Sequence, residues 1–291
     1  MASRRPVAIV AIVKNEAHII FEWLAHHAAI GVDRFILYDN RSTDATRDEI
    51  RAFPDQGRIT LIDWPMAFGQ MPAYRDAHRR FGRRLGWMAF IDADEFLIPL
   101  QGETLPGILA GFEAEDGLAV PWTLFGSGGH DRRPYGLVLE NFTRRAPFDF
   151  EVNRHIKCIM RPEGIDDFTA SPHIFVARHN RIVREDGLSV DGKSLLPAPI
   201  EPRRLRLHHY VVQSRQDFEI KRSRGLCHPS QPRDAAFFDL HDRNEVEDLT
   251  ALPFAAAGRG CQARRRPPRP APPAAPERPF PRRGEAGHFD S

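Results

Sequence analysis

The sequence is sparing with cysteine. Cys158, Cys227 and Cys261 are the whole complement, an odd number with no C-x-x-C spacing. That argues against a disulfide framework or a structural zinc site and fits reduced thiols in a cytosolic protein. Long hydrophobic runs are missing too: no segment approaches the ~20 apolar residues that span a bilayer. The apolar run from Val7 to Val13 follows Arg4 and Arg5, but it is too short for a signal peptide and passes directly into Lys14-Asn15-Glu16. It reads as a buried strand. Nor is there an excess of one charge, since a net charge of +2 over 291 residues says nothing about partners. No internal repeat is visible.

What is present is ordinary for a globular chain: 42% hydrophobic and 27% charged residues, over a length that can bury a substantial core. The continuous β-branched run Val7 to Val13 suits a strand covered on both faces. Glu16 to Ile30 has helical spacing, with Ile19, Ile20, Trp23, Leu24, His27 and Ala28 able to share a face, and Gly31 ends it. Arg34 to Tyr38 predicts a second strand, Asp39 to Asp44 a polar turn, Ala45 to Ala52 a helix, and Ile59 to Ile62 a third strand. Tyr74 to Leu85 reads as helix and Trp87 to Ile91 as a fourth strand. This alternation predicts an α/β fold with a doubly wound, mostly parallel sheet, whose ligands bind beyond the carboxyl ends of the strands. Polar clusters stand at those ends: residues 14–16, 39–44 and 92–95.

From about residue 120 the pattern loosens. Short strands are expected at residues 120–124, around Val138, at 156–160 and at 174–177, with a Gly-rich loop at 126–130 and a helix at 216–225. Residues 186–202 read as a long surface loop. One domain is expected over residues 1–257, in halves 1–120 and 121–257. Beyond it, residues 258–291 form an Arg/Pro-rich tail that should be disordered, with eight arginines and eight prolines between Arg259 and Arg283. Such a tail could touch nucleic acid or an anionic membrane, or simply be solvated.

Asp92-Ala93-Asp94-Glu95 follows the fourth strand directly. Strand alternation would put Asp92 and Asp94 on one side. Two adjacent carboxylates repel unless a cation lies between them, and a hard divalent ion, Mn²⁺ or Mg²⁺, completed by phosphate oxygens, resolves the repulsion. Such an ion would neutralise charge on a leaving pyrophosphate. On a surface turn the same triplet would mean nothing. Here it lies between apolar segments, where unpartnered acids would be costly.

Several motifs, in order, resemble glycosyltransferase family 92, with looser similarity to family 2-like transferases. They are Lys14-Asn15-Glu16, Glu22-Trp23-Leu24-Ala25-His26-His27, Gly31-Val32-Asp33 and Tyr38 to Asp44. Trp87 with Asp92-Ala93-Asp94-Glu95-Phe96 and Trp122 with Phe125 to His130 follow. Leu207-His208-His209-Tyr210 with Ser214, Phe218 and Lys221, then Phe237-Phe238 with His241, Asp242 and Asn244, complete the set. The match runs over roughly residues 7–250. The resemblance implies a GT-A-type fold, a doubly wound mixed sheet with a nucleotide-sugar-binding first half and an acceptor-binding second half. It implies a UDP-sugar donor and Mn²⁺ or Mg²⁺. By that analogy Asn15, Glu16 and Asp39 contact base and ribose, with Asn40 and Asp44 in the same group. Asp92 and Asp94 serve ribose and metal, and Asp94 and Glu95 mark the catalytic centre. His209 is a further metal ligand, with His208 its rival. Lys221 meets phosphate or is a solvated helix lysine.

A general base is sought in the glycine loop, at His130 or Asp131, with Glu140 an outlying third; the glycines might equally serve only the turn. Glu22, Trp23 and His27 read as packing residues and Arg75 as a surface arginine. A cytoplasmic enzyme with a glycan or lipid-linked acceptor, in peripheral contact with the inner membrane face, is the resulting expectation, with no specific nucleic acid. Two other classes compete. A metal-dependent nucleotidyltransferase would share the acidic pair but needs a Gly- and Arg-rich loop after the first strand, which Lys14-Asn15-Glu16 is not. A non-enzymatic carbohydrate- or nucleic-acid-binding protein would not need an intact acidic cluster.

Overall fold

The computed structural model describes residues 4–224 and 233–264. In chain order the elements of the first half are β1 (Val7–Val13), α1 (Ile20–Ala29), β2 (Arg34–Asp39), α2 (Thr46–Ala52), β3 (Ile59–Asp63), α3 (Gln70–Phe81), β4 (Trp87–Phe90), β5 (Glu95–Pro99) and α4 (Leu105–Leu109). The second half holds β6 (Gly117–Leu124), α5 (Val138–Asn141), β7 (Arg144–Arg145), β8 (Ile156–Met160), β9 (Ile165–Phe168), β10 (Phe175–Ala177) and β11 (Ile182–Val183). It closes with β12 (Leu205–His209), α6 (Arg215–Ser223), α7 (Ala235–His241), β13 (Val246–Glu247) and α8 (Leu252–Gln262).

The main sheet runs β3-β2-β1-β4-β8-β6-β12-β5, with the short β11 on β6. Strands β1 to β4 pair parallel, as the alternation of strand and helix requires. The second half is mixed: β8 is antiparallel to β4 and β6, β12 is parallel to β6, and β5 returns antiparallel on β12. All seven residues of β1 are buried because both faces are covered. Val7, Ile9, Ala11 and Val13 join the core under α1, and Ala8, Val10 and Ile12 the core under α3, as the period of two dictates. Burying each large aliphatic side chain in this way stabilises the fold by ~1.5–3 kcal/mol.

Helix α1 also explains how β5 tolerates the sheet edge. Its Trp23 Nε1 donates to Glu95 O (2.8 Å), His26 Nε2 lies 2.7 Å from Leu97 O, and Leu97 N donates to His27 Nε2 (3.2 Å). Three ring nitrogens thus satisfy backbone groups that an edge strand otherwise leaves open.

Some expectations need correction. Residues around Val138 form a one-turn helix, not a strand, because Glu22 caps their amides. Strand β5 was not anticipated as a separate element. The first acidic residues stand in a turn, since β4 ends at Phe90. The boundary expected at Gly258 falls inside α8, whose Cys261 is buried. The rest of the expected tail, from residue 265, lies outside the described residues. Among the described residues no helix is long and apolar enough to cross a membrane.

Candidate active site

A cleft of about 940 Å³ opens beyond the carboxyl ends of β1, β2 and β4, lined there by Lys14, Glu16, Asn40, Asp92 and Asp94. Its far wall comes from the second half: Trp122, His155, His173, His209 and, from α6 and α7, Lys221, Arg224 and His241.

The acidic turn is held from below. Asp92 Oδ1 accepts from Gln70 Nε2 (2.9 Å) and Oδ2 from Lys157 Nζ (2.7 Å). Glu95 is fully buried. Its Oε2 accepts from Asp92 N (2.8 Å) and its Oε1 from Trp122 Nε1 (2.8 Å), while Lys157 Nζ stands 3.4 Å away. Burial pushes the Glu95 carboxyl up to about 8, against the pull of Lys157. Glu95 does not line the cleft, so its expected place in the catalytic centre is corrected: it braces the turn.

Asp94 differs. Its Oδ2 contacts Lys221 Nζ and stands 3.8 Å from His209 Nε2. Burial pushes its pKa up, but Lys221 and His209 outweigh burial and hold the carboxyl well below the usual range. His209 faces the cleft from β12, whereas its neighbour His208 turns to the opposite face, where its Nδ1 meets the Tyr210 hydroxyl (3.2 Å). Strand alternation therefore places His209, and not His208, at the cleft. The buried His209 Nδ1 has no partner among the described residues.

The first-strand loop is clamped by α6. Arg224 Nη1 donates to Lys14 O (2.6 Å) and Asn15 O (2.8 Å), and Nη2 pairs with Glu16. Asn15 adopts a left-handed φ of 55° and ties the loop to the next one, accepting from Thr43 N (2.7 Å). Asp39 is buried at the end of β2 with no partner for Oδ1 among the described residues, and Asn40 anchors residues 64–66 through Trp64 O and Met66 O. Asp44 is not brought into the cleft. It accepts from Thr46 N and Ala17 N, fixing the start of α2.

His130 and Asp131 also lie outside the cleft. Their carbonyls accept the amides of Arg215 and Gln216 (both 3.0 Å), so they hold the start of α6. The glycine loop is pinned by Asp242, which accepts from Ser127 N (2.6 Å), and by Asn244, which accepts from Gly128 N (2.7 Å). A Cβ on Gly126 would stand 2.4 Å from Arg243 O, so the glycine permits a backbone contact. Glu140 pairs with Arg259. Arg75 donates to Phe168 O (2.6 Å) at the surface, as a surface arginine would.

Sequence reasoning missed Gln70, Lys157, Arg224, His155 and His173. Only Lys157 carried a signal, as the one charge within the apolar Ile156–Met160.

With this geometry in hand, comparison with known proteins is direct. The glycosyltransferase family 92 model matches residues 7–187. The chain belongs to glycosyltransferase family 92. A family 92 protein of Oryza sativa subsp. japonica is 29% identical over 167 residues, covering 55% of this chain and 27% of its own length. One from Arabidopsis thaliana is 27% identical over 94 residues, covering 32% of this chain and 16% of its own. The chain thus spans about a quarter or less of these relatives' lengths. Among solved structures, S. aureus TarS 1–349 in complex with UDP aligns over 86% of this chain and 70% of that one, at 15% identity and TM-score 0.42. Glucosyl-3-phosphoglycerate synthase from Mycobacterium tuberculosis, in complex with Mn²⁺, UDP-glucose and phosphoglyceric acid, aligns over 39% of this chain and 42% of that one. Its identity is 19% and its TM-score 0.30. The mixed, doubly wound α/β sheet expected from the sequence is the one observed.

Proposed function

We propose that this chain is the nucleotide-sugar-binding and catalytic core of a glycosyltransferase, moving a sugar from a UDP-sugar to a hydroxyl of a glycan or lipid-linked acceptor. The observation that carries the reading is the convergence of Asp92, Asp94, His209 and Lys221 on one cleft at the carboxyl ends of the parallel strands. Asp39, with a buried oxygen unpartnered among the described residues, and Asn40 and Glu16 at the same end suit the base and ribose. Asp92, fixed from below, suits a ribose hydroxyl. Lys221 and Arg224 bring two cations toward the pyrophosphate from one face of α6.

The donor set fits a divalent cation. Among the described residues no three acidic, histidine or cysteine side chains converge as a complete metal cage. Asp94 and His209 nonetheless offer a hard oxygen and an imidazole side by side, a set Mn²⁺ or Mg²⁺ accepts when phosphate oxygens supply the rest. Bound there, the ion would neutralise charge growing on the leaving diphosphate. Asp92 is the weaker ligand, because Gln70 and Lys157 already occupy both its oxygens. A cytoplasmic setting with peripheral contact at the inner membrane face belongs to the same reading.

The experiment is UDP release from UDP-sugars by the purified chain, with and without Mn²⁺, beside Asp94→Asn. Metal-dependent release that drops at least 100-fold in the variant supports the reading. No release and no metal-dependent UDP binding refutes it.

A further inference from the structure

Lysine is a poor choice for the middle of a central strand, yet Lys157 sits there, 1% exposed, between β4 and β6. Burial opposes its charge, so a partner must justify it. It has two: Asp92 Oδ2 at 2.7 Å and Glu95 Oε2 at 3.4 Å. The two remaining oxygens are engaged by Gln70 and Trp122, and the Asp92 amide also donates to Glu95 Oε2. Every carboxylate oxygen of Asp92 and Glu95 therefore has a protein partner before any ligand arrives. The ammonium approaches from β8, in the second half of the chain, so it locks the turn of the first half to the second. Lys221 is different in kind. It stands on a helix at the cleft wall, touches Asp94 rather than Asp92, and donates to Val211 O (3.0 Å).

We propose that Lys157 is a positioning residue: it pins Asp92 and Glu95 from β8, preforming the acidic turn for the nucleotide and keeping Asp92 away from the cation that Asp94 takes. This rests on the glycosyltransferase reading above. The consequence is a split. Without the pin Asp92 loses its set orientation, and UDP binds more weakly. The same freedom lets Asp92 turn to the cation, and Mn²⁺ binds at least as tightly. A lysine that served only folding would weaken both together.

Lys157→Met alone strands the buried Glu95 carboxyl and the half-buried Asp92 carboxylate and can unfold the domain. The informative variant is therefore Lys157→Met with Glu95→Gln, which removes the ammonium together with the buried carboxyl beside it, compared with Lys157→Arg in the full chain. Mn²⁺ binding is counted by electron paramagnetic resonance of the free ion at saturating UDP. UDP binding is measured by calorimetry without metal. Circular dichroism and melting establish that each variant is folded. UDP affinity should fall about tenfold in the double variant, the scale on which groups behind a ligand act. Mn²⁺ affinity should hold or rise, and Lys157→Arg should recover most of the UDP affinity. Parallel loss of both affinities in a folded double variant, or unchanged UDP affinity, overturns the proposal. A wild-type chain that binds no UDP with or without Mn²⁺ overturns the glycosyltransferase reading itself, a result distinguishable from failure of Lys157 alone.

Discussion

Glu22 offers a test of what the α1 motif is for. Its carboxylate is 5% exposed and accepts two backbone amides, Val138 N at 2.7 Å and Leu139 N at 3.0 Å, which open the short helix α5. Removing the acceptor strands two buried N–H groups, each worth ~1–3 kcal/mol. Glu22→Ala should therefore lose ~2–5 kcal/mol of unfolding free energy at pH 5. The carboxyl itself is held up by burial, from 4.5 to about 7, with the two amides pulling the other way. An acid whose folded pKa is raised contributes stability that is complete below the unfolded value and is lost as pH rises through the folded one. At 1.36 kcal/mol per pH unit the wild type should give up ~3 kcal/mol at this residue between pH 4.5 and 7. Glu22→Gln keeps the shape and one acceptor oxygen but cannot ionise. It should be less stable than wild type at pH 5 and close the gap by ~2–3 kcal/mol at pH 7.5. Urea unfolding followed by tryptophan fluorescence at both pH values measures all three proteins. Glu22→Ala within ~0.5 kcal/mol of wild type at pH 5 would refute the capping argument. A difference between Glu22→Gln and wild type that ignores pH would refute the buried-carboxyl argument.

Acid should destabilise the domain as a whole. His26 and His241 are lowered to about 4 and His173 and His208 to about 3, in each case chiefly by burial, and His18, His27, His155 and His209 move the same way. Stability from a lowered imidazole is present above its unfolded pKa and is lost as pH falls through the folded one. Among the described residues only Glu22 and Glu95 are carboxyls raised the other way, too few to cancel eight imidazoles. The melting temperature should fall steadily from pH 7 to pH 4.5 by differential scanning calorimetry, and a flat or rising trend would contradict the burial of these rings. Gly126→Ala places a methyl 2.4 Å from Arg243 O and 2.7 Å from Arg243 N, both backbone atoms, and should cost ~2–4 kcal/mol in the same urea assay. A neutral Gly126→Ala would mean that the loop can move away from residues 242–244.

The sequence makes local order plain and leaves long-range partnership hidden. Strands β1 to β4 are legible because each is a short apolar run bounded by polar turns, and the cleft follows from where those turns fall. Asp94, Asn40 and Glu16 line it for that reason. Glu95 was misassigned because adjacency in the chain suggests shared exposure. Glu95 opens β5, and its side chain is buried against Trp122, 27 positions away, behind the cleft wall. His130 and Asp131 looked like a lid because glycines surround them. Their fate is set by amides at 215 and 216 and by the side chains of Asp242 and Asn244, which no local pattern announces. The α1 motif divides the same way. Its apolar spacing was readable, but Glu22, Trp23, His26 and His27 act on α5 and β5, 70 or more residues distant. A charged or ring-nitrogen side chain inside an apolar element is thus the sequence's one visible trace of such a partner. Lys157 in β8 is the clearest case: the strand around it states that the charge is buried, burial demands a counter-charge, and the one unexplained acidic cluster in the chain is the turn it holds.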